Sequence, residues 1–237
     1  MASRKCLIWD FDGTLGCRPG QWSGTLVQVL DRFAGIQIDI ETVRPFMRRG
    51  FPWHSPDVVN PPMRPADLWW EALLPVFEEA FVACGVSADQ ATRLAAKVRP
   101  AYIDLVEWKL FEDTKDVLED LRRDGWSHAI LSNHVPELPL LVEGLGLGPL
   151  IECVVNSATT GFEKPNPEAY RTALATIGAT GNVWMIGDNI TADVLGAEAA
   201  GLRAILVRTE DPRANRRAAT LRDVRPFLDQ EPAPGTG

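Results

Sequence analysis

Apolar residues recur along this chain in two rhythms. Short unbroken runs at residues 5–9, 127–132, 150–156, 182–186 and 202–207 read as strands buried on both faces. Between the later runs, residues 114–123, 136–145, 167–177 and 190–200 place apolar side chains three and four positions apart, as helices with one buried stripe do. From about residue 107 the two alternate regularly, which predicts an α/β fold: a parallel sheet with helices on both faces, in three layers. The regularity is interrupted once. More than a hundred residues separate the first strand from the second, and that interval has helical spacing at 22–33, 42–49, 68–84 and 87–97. Ser87 and Gln90 are spaced as a capping box, and Gly85 is a stop signal after Cys84. Pro45 and Pro75 fall inside these stretches, where proline marks a helix start or a kink. The pattern predicts a core over 1–16 and 107–210, a helical insertion over 17–106, and a polar extension over 211–237 with a frayed end at 231–237.

Polar groups gather where the strands stop. The first strand ends in Asp10-Phe11-Asp12-Gly13, the second in Ser132-Asn133, and the fourth in Gly187-Asp188-Asn189, with Asp193 on the next helical turn. Lys164, in Lys164-Pro165-Asn166-Pro167, precedes another helix. Two acids at i and i+2 leave a strand on the same face. Held close, they need a cation, a shared proton or full solvation. Alone, the pair fits a solvated turn as well as a cation site, Ser132 fits a cap, and Lys164 fits a surface charge. In a parallel sheet, however, all of these residues meet at one edge, where ligands bind. Together they offer carboxylates for a hard cation, a hydroxyl and an ammonium for an anion, and a nucleophile, which are the parts of phosphoryl transfer.

In this order the four segments resemble those of the haloacid dehalogenase superfamily of phosphohydrolases, over about residues 5–207. The resemblance implies a Rossmann-like core with an α-helical cap inserted after the first motif. It implies Asp10 as nucleophile, forming an aspartyl phosphate, and Asp12 as general acid and base. It also implies Mg2+ held by Asp10 and Asp188, with the Asp12 backbone carbonyl reaching the metal. Asp193 then supports the metal shell or orients Lys164. Ser132, Asn133 and Lys164 match phosphate-holding positions, and Gly13, lacking a side chain, lets backbone amides approach the phosphate. An acid at position 12 favours phosphate esters over carbon–halogen chemistry. The insertion has only Lys97, near its end, which argues against a Schiff-base route to phosphonate cleavage. The leading reading is a Mg2+-dependent phosphatase acting on a small phosphorylated metabolite. A phosphomutase is the second, and a catalytically silent binding or regulatory protein the third.

Composition narrows the partners. The 237 residues are 46% hydrophobic and 24% charged, as in a folded soluble protein, and the net charge of -8 discourages binding to nucleic acid. No apolar run is long enough to span a bilayer, and no signal-peptide core precedes the first strand, so a cytoplasmic location is expected. Cys6, Cys17, Cys84 and Cys153 are scattered, which predicts reduced thiols and no zinc. The expected state is a monomer or a homodimer. In the insertion, Arg44 and Arg48 fit a solvated face, and of the adjacent Trp69 and Trp70 at least one is expected in the core. Trp53 and His54, in a proline-rich loop over 52–65, are the candidate cap contacts to substrate.

Overall fold

A computed structural model describes residues 5–60, 65–178 and 181–229. The chain begins with β1 (Cys6–Trp9) and β2 (Gly16–Cys17), then passes through α1 (Gln21–Ala34), α2 (Ile40–Val43), α3 (Ala66–Glu71), α4 (Leu74–Ala83) and α5 (Ala88–Tyr102) to β3 (Lys109–Leu110). The alternating half follows as α6 (Thr114–Arg123), β4 (Ser127–Ser132), α7 (Leu138–Gly144), β5 (Cys153–Asn156), α8 (Ser157–Thr160), α9 (Pro167–Ile177) and β6 (Val183–Gly187). A π-helical turn, Ile190–Leu195, then runs into α10 (Gly196–Ala199), β7 (Arg203–Val207), β8 (Arg217–Ala218) and α11 (Arg225–Leu228).

Six strands form one parallel sheet in the order β5-β4-β1-β6-β7-β8. The two-residue strand period divides β1 between two cores: Leu7 and Trp9 enter one, Cys6 and Ile8 the other. All four side chains are buried, which explains the unbroken apolar run. β1 is central, and the chain winds to β4 on one side and to β6 on the other. The carboxyl ends of these three strands therefore flank the crevice where an open α/β sheet binds ligands.

Helices α1 to α5 pack on one another above that edge, joined to the sheet by a short antiparallel pairing of β2 with β3. Their core is continuous with one face of the sheet through Trp22, Phe77, Tyr102 and Trp108. Trp69 and Trp70 are both buried. The Trp70 indole donates to Glu137, just ahead of α7, and Arg99 of α5 bonds the same carboxylate at 2.8 Å. This clasp fastens the insertion to the sheet layer.

Several elements depart from the expected pattern. The helix expected at 42–49 is the short α2 followed by a 3-10 turn, Phe46–Arg48, with Pro45 between them. The stretch 68–84 is two helices, because Pro75 sits in the first turn of α4, where a missing N–H costs nothing. Residues 190–200 open with a π turn rather than an α-helix. The segment from 211, expected only as an extension, supplies the sixth strand and buries Leu221, Val224 and Leu228 in the core. The frayed end expected at 231–237 lies outside the described residues.

Candidate active site

Asp10 follows the last residue of β1, and its backbone N–H donates to Ile186 O of β6 at 2.9 Å. Its carboxylate Oδ1 lies 2.9 Å from Lys164 Nζ, and the same ammonium lies 2.6 Å from Asp193 Oδ1. Lys164 is 2% exposed and Asp193 fully buried. Burial alone would lower the lysine's proton affinity, but the Asp10 and Asp193 carboxylates outweigh it and hold the ammonium charged. Two stretches of chain more than 150 residues apart thus meet through one lysine.

The turn after β6 shapes the rest. Asn189 Oδ1 accepts from the N–H groups of Thr191 and Ala192, and Asn189 N–H donates to Asp193 Oδ2 at 2.9 Å. The widened π turn aims Asp193 inward, consistent with the tendency of such turns to occur at functional sites. Gly187 makes room for it: a Cβ there would stand 2.2 Å from Asp193 Cγ. Both oxygens of Asp193 are therefore engaged, one by Lys164 and one by Asn189.

Asp188 lies against the β1 turn. The Thr14 hydroxyl donates to its Oδ1 at 3.4 Å, and a Cβ on Gly13 would come within 2.3 Å of its Oδ2. Burial, and then the charge of Asp10, pushes the Asp188 carboxyl up to about 7. Asp10, Asp188 and Asp193 each bring a carboxylate oxygen within 4.8 Å of the others. Like charges at such a distance repel by about 3 kcal/mol at an effective dielectric constant of about 20. Lys164 offsets part of this. Asp10 and Asp188 remain facing each other as hard oxygen donors, which suits a small divalent cation such as Mg2+.

Asp12 is partly exposed, with Oδ2 3.4 Å from His134 Nε2 and a buried Oδ1 that has no hydrogen-bond partner. Burial, followed by the charges of Asp10 and Asp188, raises its proton affinity well above that of an ordinary carboxylate. The four acids, Ser132 and Lys164 line a cavity of about 500 Å3. The insertion contributes Gln21, Trp22, Trp53 and Tyr102 to its wall, with Trp22 and Tyr102 stacked 3.9 Å apart. Lys164 is the one lysine or arginine among the described residues lining the cavity.

Three candidates differ from expectation. Gly13 adopts φ +76° and its N–H donates to Gly16 O at 2.9 Å, so that amide is not free for a phosphate. The glycine instead permits the approach of Asp188. The Asn133 side chain is committed to Lys164: its Oδ1 accepts from Lys164 N at 2.7 Å and its Nδ2 donates to Lys164 O at 2.8 Å. It holds the lysine's backbone, although Asn133 still lines the cavity. His54 does not line it. The 3-10 turn Pro52–His54 folds the ring back so that Nδ1 accepts from Phe51 N, and the residue is exposed. Trp53, by contrast, reaches the cavity. Sequence reasoning missed His134, Gln21, Trp22 and Tyr102. Of these only His134, two positions past Ser132 at a strand edge, carries a positional signal.

A family model for haloacid dehalogenase-like hydrolases matches residues 4–201. The phosphoserine phosphatase of Thermus thermophilus is 35% identical over 157 residues, covering 63% of this chain and 62% of that protein. The ribulose-1,5-bisphosphate 5-phosphatase of Halopiger xanaduensis is 35% identical over 108 residues, covering 45% and 44%. The chain thus spans less than two thirds of the length of these curated relatives. Among solved structures, the HAD-hydrolase YfnB from Bacillus subtilis, bound to magnesium, aligns with a TM-score of 0.73 at 19% identity, covering 96% of this chain and all of that one. At that identity the likeness is one of fold. The family match, extending from β1 through α10 and so through every acid of the cavity, shows that the chain belongs to the haloacid dehalogenase-like hydrolases.

Proposed function

We propose that the protein is a Mg2+-dependent phosphatase that hydrolyses a small phosphorylated metabolite in the cytoplasm through an aspartyl phosphate on Asp10, with residues 17–106 acting as a cap. The observation that carries this reading is the Asp10–Lys164–Asp193 bridge with Asp188 beside it, a cluster in which carboxylates outnumber the ammonium. Such a cluster repels a phosphate monoester unless a cation joins it. Asp10, Asp188 and the Asp12 backbone carbonyl would hold Mg2+, which supplies charge neutralisation for the nucleophile and the phosphoryl oxygens.

The chain's own residues account for the remaining steps. Lys164 and Ser132 hold phosphoryl oxygens, and Asn133 fixes Lys164 by gripping its backbone. An Asp10 oxygen attacks phosphorus and the ester oxygen leaves, taking a proton from Asp12. Asp12 then removes a proton from water, the water oxygen attacks phosphorus, and inorganic phosphate departs as Asp10 is regenerated. The raised proton affinity of Asp12 suits the first of these proton transfers. Trp22, Trp53 and Tyr102 contribute aromatic surface over the site and exclude water from it.

Phosphate release from a panel of phosphorylated metabolites, with Mg2+ and with chelator, tests this reading beside Asp10→Asn. Turnover is expected to vanish in both controls. Equal rates with chelator, or an active Asp10→Asn protein, overturn it.

A further inference from the structure

The two buried histidines of the sheet make a contrast. His128, on β4, has both ring nitrogens occupied: Nδ1 accepts from the Trp9 indole at 3.1 Å, and Nε2 pairs with Leu118 O at 2.9 Å. This is the ordinary state of a core histidine, since buried polar atoms are almost always partnered. His134, just past the end of the same strand, is 1% exposed, and neither ring nitrogen has a partner at full hydrogen-bond geometry, the Val135 backbone lying only loosely against the ring. It stands among Phe11, Tyr102 and Trp108, whose ring centres lie 5.6, 6.0 and 5.5 Å away. Its Nε2 faces Asp12 Oδ2 at 3.4 Å across the cavity wall, and Asp12 Oδ1 is itself buried and unpartnered. His134 Nε2 and the Asp12 carboxyl thus face each other slightly beyond ordinary bonding distance. Catalytic hydrogen bonds are often this long before substrate binds and shorten in the complex.

We propose that His134 is the positioning residue of the general acid and base, its Nε2–H fixing the Asp12 carboxyl through Oδ2 so that the carboxyl keeps its bearing toward the ester oxygen. The assignment rests on the phosphatase reading above and adds a residue to it. Burial holds the imidazole neutral, so it contributes direction to Asp12 without adding charge. The rings around it fix its plane, and the hydrogen bond transmits that constraint to the carboxyl.

The test compares kcat/KM for two esters, an alkyl phosphate from the panel and p-nitrophenyl phosphate, whose leaving group departs without a proton. kcat/KM covers the steps through phosphoenzyme formation, where Asp12 acts as the acid. His134→Phe keeps the packing and removes the nitrogens. It is expected to lose about 10- to 100-fold on the alkyl ester and less than about threefold on the aryl ester. His134→Gln, with an amide nitrogen near the place of Nε2, is expected to recover most of the loss. Equal losses on both esters, or no loss on the alkyl ester, overturn the assignment. Should His134→Phe fail to fold, as judged by circular dichroism, His134→Leu, smaller and equally without ring nitrogens, takes its place. A loss of about tenfold or more confined to the alkyl ester supports the role, and an equal loss on both esters ends it. A wild-type protein inert toward every monoester sinks the phosphatase reading and this assignment with it. An active wild type whose alkyl-to-aryl ratio is unmoved in the variants sinks the assignment alone.

Discussion

Replacing Glu163 with glutamine would remove a titration from the protein interior. The side chain is 1% exposed and faces a cavity of about 170 Å3 lined by Phe51, Trp69 and Leu73 of the insertion and by Ser157 and Ala158 of the sheet layer. Its Oε2 has no hydrogen-bond partner. Burial pushes the carboxyl from 4.5 up to about 7, against the opposing effects of Ser157 and Lys164. The folded state therefore holds this proton more tightly than the unfolded chain does. The stability that protonation confers is fully present below about pH 4.5, declines as pH rises through the interval, and is gone above about pH 7. A displacement of about 2.5 units corresponds to at most about 3 kcal/mol. Glutamine resembles the protonated acid at every pH, so Glu163→Gln should gain on wild type as pH rises from 5 to 8. At about 2–4 °C per kcal/mol for a chain of this size, the difference in Tm widens by up to about 6–12 °C. Thermal unfolding of both proteins at half-unit pH intervals measures it. Curves that stay parallel across the range would show that Glu163 does not carry the titration.

Three further outcomes follow from the geometry. Gly13→Ala places a methyl in the volume of Asp188 Oδ2 at a left-handed φ, so it should cost about 1–2 kcal/mol in stability and at least about tenfold in the Mg2+ concentration needed for half-maximal activity; unchanged metal dependence refutes it. Asn133→Ala removes both side-chain bonds to the Lys164 backbone and should cost about 1–3 kcal/mol in urea unfolding together with a fall in kcat, whereas loss of stability with full kcat would show that Lys164 does not need the clamp. Glu137→Gln weakens the Arg99 end of the clasp. Because that arginine is one-third exposed, the cost should be about 1 kcal/mol and shrink in 1 M salt, and a salt-independent loss would point to packing instead.

The legible parts of the fold were those that local chemistry dictates. Runs such as Cys6 to Trp9 are apolar at every position because both faces of the sheet are covered. Asp10, Ser132 and Asp188 could be placed because a parallel sheet delivers successive strand ends to one edge. What stayed hidden depends on long-range contact. Arg217–Ala218 has no apolar run, and becomes a strand only because β7 offers it a free edge. The sequence around Asp193 has helical spacing, and the π turn is fixed by the pull of Lys164 and Asn189 on its carboxylate. The direction of the Asn133 side chain, toward the Lys164 backbone, is decided by a residue 31 positions away. His54 and Trp53 are neighbours in sequence, yet a 3-10 turn sends only one of them to the cavity.

The pairing of β2 with β3 joins the outgoing and returning crossings of the insertion at a single stem, with Gly16 opposite Leu110 and Cys17 opposite Lys109. With the Glu137 clasp, that stem ties the insertion to the sheet layer at two separate places, so the aromatic wall built by Trp22 and Tyr102 is held at a set bearing over the carboxylates.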